Sequence, residues 1–209
     1  MKPQGFTLIE IAIVLVIIGL ILGMVFKGKQ LIDQTRVKQL EAQYTKIIGA
    51  LETFHERYGF YPGDGCVNQT YTPATPFTCT GPKDGLLFDG SGWGGSGTGY
   101  ETEAAWHLLV NVTGILTEAD RNSIYGQPWI FIGGINRLGG NDTTGTWLDL
   151  RGLQQADPRV ICALDQKVDD GYYNKGRVRL QATGIIPYTP KTDCWSLSGQ
   201  VDMNLRVLP

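Results

Sequence analysis

The chain has 209 residues, a net charge of −2 and 18 % charged residues, which leaves room for one membrane segment and one globular domain of ordinary size. So balanced a charge excludes general nucleic-acid binding, and so apolar a composition excludes a disordered tail. Glycine, at 28 residues and mostly beyond position 58, suits turns, short strands and ordered loops.

The first element is the apolar run "GFTLIEIAIVLVIIGLILGMVF", Gly5 to Phe26. Ile11 to Phe26 holds no charge, and Phe6 to Phe26 has the length of about 20 residues that crosses a bilayer as a helix. A cleaved secretory signal would end in a small-residue site, and the following "MVFKGKQLIDQ" offers none. An uncleaved anchor leaves Glu10 unexplained, because a carboxylate costs about 2.5–3.5 kcal/mol near the centre of a membrane helix and somewhat less near its end. Snorkelling of Glu10 to the headgroups is the bland alternative to a charged partner.

"GFTLIE" followed by an apolar helix resembles the processing site of type IV prepilins and type II secretion pseudopilins. In that family a short charged leader ends in glycine, a dedicated membrane peptidase cuts after it, and the new terminal phenylalanine is methylated. The resemblance implies a leader of residues 1–5, cleavage between Gly5 and Phe6, and N-methylation of Phe6. It makes Glu10 the assembly residue, neutralised in a dry environment by the Phe6 amine of a neighbouring subunit. The partners it implies are the prepilin peptidase, other pilin or pseudopilin subunits and the bacterial inner membrane, with the periplasm or a surface pilus as the destination after assembly. Only Lys2 precedes the run while Lys27, Lys29, Arg36 and Lys38 follow it, so a positive-inside count alone would leave the rest of the chain in the cytoplasm. The processing motif and an even cysteine count place it outside.

Residues 6–26 are thus expected to form a transmembrane and filament-core helix, with Gly19 and Gly23 as a GxxxG that permits close helix packing or is simply tolerated. Residues 27–58 continue it, because Val37, Leu40, Tyr44, Ile47, Ile48, Leu51, Phe54 and Tyr58 recur every three or four positions as one apolar face. "YGFYPGDG" ends the helix, giving a rod of about 80 Å, and Gly28 is the nearest breaker within it. Residues 59–209 are expected to form the globular domain. There "ETEAAWHLLVNVTGIL" reads as a second helix with Ala105, Leu108, Leu109 and Val112 on one side, and "PWIFIGGI", "TWLDLRGL", "RVICAL", "RVRLQATGII" and "QVDMNLRVL" read as strands. The fold class is α+β and pilin-like: a long amino-terminal helix laid on an antiparallel sheet with disulfide-bonded loops.

Cys66, Cys79, Cys162 and Cys194 contain no CxxC and have no histidine at ligand spacing, which excludes a zinc site. Two disulfides in an oxidising compartment fit them better, and Cys66–Cys79 with Cys162–Cys194 is the pairing that closes two local loops; each would contribute about 2–4 kcal/mol. Gly92, Gly94 and Gly97 spell GxGxxG but open no βαβ unit, and Ser96 lacks a nucleophile elbow, so no catalytic constellation or enzymatic role is read. Most of Trp93, Trp106, Trp129, Trp147 and Trp195 are expected in the core. Asp165, Asp169 and Asp170 share a glycine-punctuated turn, "LDQKVDDGYYNKG", whose hard oxygens suit calcium; Lys167 excludes an EF-hand, and a solvated Asx-rich turn accounts for the same residues. No other cofactor is required.

The functional expectation is a structural subunit, a pilin or minor pilin, of a type IV pilus-like filament. The alternative within the family is a pseudopilin of a type II secretion system. From another class, a bitopic membrane protein with a periplasmic binding domain predicts an intact amino terminus.

Overall fold

The computed structural model describes residues 7–66, 79–87, 100–135, 142–150, 156–180 and 186–208. The chain divides into two compact units, residues 1–36 and residues 37–209. One helix, α1 (Leu8–Tyr58), contributes to both. It holds no proline, and it runs through Gly28 without a break, since one glycine costs a helix only about 1 kcal/mol relative to alanine. It ends where Gly59 takes φ 78° and its N–H donates to the His55 carbonyl at 2.8 Å, a glycine stop of the usual kind.

Within the second unit, α1 buries Val37, Leu40, Tyr44, Ile47, Leu51 and Phe54 of the expected stripe together with Ala50, while Ile48 is half-buried against it. Tyr58, expected on that stripe, is 49 % exposed and instead lays its ring on Phe54, with centroids 4.5 Å apart. The next elements are α2 (Tyr100–His107), a π-helical turn (Leu108–Val112) and the single-turn helix α3 (Glu118–Arg121). The second helix was expected to reach Leu116 with Val112 on its buried side. The π turn overturns that register: Thr113 N–H reaches back five residues to the Leu108 carbonyl, the added residue rotates the face, and Val112 is 61 % exposed.

The sheet contains β1 (Ile130–Ile135), β2 (Asp142–Leu150), β3 (Val178–Leu180) and β4 (Met203–Leu208), in the order β1-β2-β4-β3 and antiparallel throughout. Register aligns Phe131 with Leu148, Leu148 with Leu205 and Leu205 with Val178, a row of fully buried side chains across all four strands. That row joins the α1 stripe in one apolar cluster. Trp106 stacks on Phe131, with centroids 4.8 Å apart, and Trp106, Trp129 and Trp147 are buried while Trp195 is 44 % exposed. Trp93 lies outside the described residues.

One expected strand is a helix. "RVICAL" lies in α4 (Pro158–Val168), which buries Pro158, Val160, Ile161, Cys162, Leu164 and Asp165 at helical spacing. Asp157 caps it, its carboxylate accepting the Arg159 N–H at 3.0 Å, and Pro158 opens the first turn, where its missing N–H costs nothing. Disulfides join Cys66 to Cys79 and Cys162 of α4 to Cys194 of a short 3₁₀ turn (Cys194–Ser196).

Candidate functional site

Two places in the molecule carry more than packing. The first is the start of α1. Leucine, isoleucine, valine and methionine fill this stretch, yet every one of them from Leu8 to Val25 is exposed. Soluble monomers rarely leave so continuous an apolar surface in water, and α1 is long and apolar enough, by length and composition, to cross a membrane. Glu10 stands in its first turn. Its Oε2 accepts the Thr7 N–H at 2.8 Å and the Thr7 hydroxyl at 2.7 Å, while its own N–H donates to Thr7 Oγ1 at 3.4 Å.

The second place is the turn after α4. Asp165, in the last turn of that helix, is fully buried and accepts the Gly171 N–H through Oδ1 at 3.0 Å. Asp169 follows the helix and accepts the N–H groups of Arg177 and of Val178, the latter at 2.9 Å, and Asp170 accepts the Tyr172 N–H at 2.9 Å. The turn brings one oxygen of each of the three carboxylates within 4.8 Å of the others. Burial pushes Asp165 up to about 7; the Tyr188 hydroxyl and the Gly171 amide oppose that rise, and the charges of Asp169 and Asp170 add to it. Such a group relieves its charge by a proton or by a cation. Oxygen donors alone fit a hard ion such as calcium, with carbonyls or water completing six to eight ligands.

Compared with family models, residues 1–26 match the prokaryotic N-terminal methylation motif. The chain carries the signature of type IV prepilins and pseudopilins. The methylation motif spans residues 1–26, and the α+β fold, a long helix with an antiparallel sheet and two disulfides, is pilin-like. No curated protein and no solved structure matches the chain.

Of the residues singled out in the sequence, Gly5 and Phe6 of the methylation motif lie outside the described residues, as do Gly92, Gly94, Ser96 and Gly97. Glu10 stands on the exposed apolar helix, and Asp165, Asp169 and Asp170 come together. Sequence reasoning missed Thr7. The signal was present within the methylation motif itself, because "TLIE" is the Thr-x-x-Glu pattern of a capping box just ahead of an apolar helix.

Proposed function

We propose that this chain is a structural subunit of a type IV pilus-like filament, and not an enzyme. It is cut by prepilin peptidase between Gly5 and Phe6, methylated on Phe6, and polymerised through α1 with other pilin or pseudopilin subunits. The observation that carries this reading is the coincidence of the methylation motif with a helical stretch, Leu8 to Val25, whose large aliphatic side chains are all exposed. Such a surface needs lipid before assembly and equally apolar neighbours afterwards, which a bundle of like helices supplies. Glu10 is then the acceptor for the Phe6 amine of a neighbouring subunit, and the globular unit lies on the far side of the inner membrane.

Mass spectrometry of the mature amino terminus tests the reading. The expected product begins at N-methylated Phe6 when the chain is made with a prepilin peptidase, and Gly5→Ala blocks the cut. A product that keeps Met1 overturns the proposal and favours a bitopic membrane protein. Imaging cells that carry a tagged copy separates a surface pilus from a short periplasmic pseudopilus.

A second reading concerns calcium. The convergence of Asp165, Asp169 and Asp170 supports a calcium ion held by their carboxylates in the turn after α4. Thermal melts with calcium and with a chelator test it: a calcium-dependent rise in Tm supports the site, and coincident melts remove it.

A further inference from the structure

We propose that Thr7 is the positioning residue for Glu10, fixing the carboxylate by a capping box that persists from the membrane into the assembled state; the inference rests on the filament reading. The amides at the start of a helix have no acceptor within it. Here the first intrahelical bond runs from Ile11 N–H to the Thr7 carbonyl at 3.3 Å, and Thr7 and Glu10 satisfy each other's N–H groups through their side chains. In water such a cap is a small gain, since solvent is the alternative partner. Inside a hydrocarbon layer or a bundle of apolar helices there is no such alternative, and an unsatisfied amide is far more costly.

The geometry also divides the work of the carboxylate. Both Thr7 donors reach Oε2, and among the described residues no hydrogen bond reaches Oε1. Oε2 therefore holds the helix start while Oε1 is left for a second donor, such as the amine of an adjacent subunit. A carboxylate already fixed in direction loses less freedom on pairing than one that rotates. Cleavage between Gly5 and Phe6 leaves the Thr7 N–H in place, so processing does not remove the cap.

The test uses the full chain, processed by a prepilin peptidase, with Thr7→Val, Thr7→Ser, Glu10→Gln and the Thr7→Val/Glu10→Gln pair compared at equal amounts of cut product. Two readouts are taken: amide exchange at Thr7 and Glu10 in detergent micelles, and filament recovered by shearing cells. We expect Thr7→Val to speed exchange at both amides about tenfold and to lower filament yield at least fivefold, with the double variant no worse than Glu10→Gln alone. Thr7→Ser, which keeps the hydroxyl, is expected to stay within about twofold of the wild type in both. Unchanged exchange in Thr7→Val, or a serine variant as defective as the valine one, overturns the cap. Normal filament yield from Thr7→Val, or losses that multiply in the double variant, overturn the positioning role. If the wild type forms no filament at all, the filament reading fails by itself, and the exchange data still decide the cap.

Discussion

Asp165 is the residue at which the surroundings alter the chemistry most. It is buried beside two further carboxylates and is pushed from an ordinary 3.8 up to about 7. An acid whose folded value lies above its unfolded one takes up a proton on folding. Its contribution to stability is therefore complete below about pH 4 and declines as pH rises towards about 7. Thermal melts between those limits, without calcium, are expected to show Tm falling with rising pH, and Asp165→Asn is expected to flatten that slope. A wild-type slope that survives in the asparagine variant would assign it to another group. Gly63 is a second residue with no tolerance. It has φ +91°, and a Cβ there would collide with the Glu101 carbonyl and lie 2.8 Å from the Ala105 nitrogen, both on α2. Gly63→Ala is expected to cost at least about 2 kcal/mol in urea unfolding, from backbone strain together with the lost close approach.

Among the elements, α4 shows what the sequence reveals and what it hides. The Asp157 carboxylate accepts three hydrogen bonds from Arg159, from the backbone N–H at 3.0 Å and from the guanidinium Nε at 3.0 Å and Nη2 at 2.6 Å. Asp157→Ala is expected to cost about 1 kcal/mol of stability, measured by the shift of the urea midpoint. The strand expected for "RVICAL" rested on the short aliphatic run alone and left the Asp-Pro helix-start signal ahead of it unused, and periodicity cannot tell a buried strand from a buried helical segment over so few residues. The α1 stripe was legible from Val37 to Phe54 because its spacing repeats over several turns, and the methylation motif was legible because its residues are specific. The π turn after α2 was not, since nothing in "LLVNV" announces an extra residue in a turn. Nor could the sequence show that Asp165 is buried while Asp170 is exposed. Helix position sets that difference, through the last turn of α4 and the chain reversal beyond it.

For the whole molecule, exposed apolar side chains concentrate from Leu8 to Ile32, and the buried stripe opens at Val37. A chain that starts at Asp33 is therefore expected to be soluble and monomeric without detergent and to keep Cys66–Cys79 and Cys162–Cys194 oxidised, as judged by sizing chromatography and thiol titration. Aggregation of that fragment would mean that the globular unit depends on the apolar segment. The strand order carries a further consequence. β4 follows every other described element along the chain, yet it pairs with both β2 and β3. Until β4 has been made, those two strands stand with open edges and nothing between them. The sheet therefore cannot be completed strand by strand as the chain is made; it closes in one late step, and a chain that ends before Met203 leaves β2 and β3 unjoined.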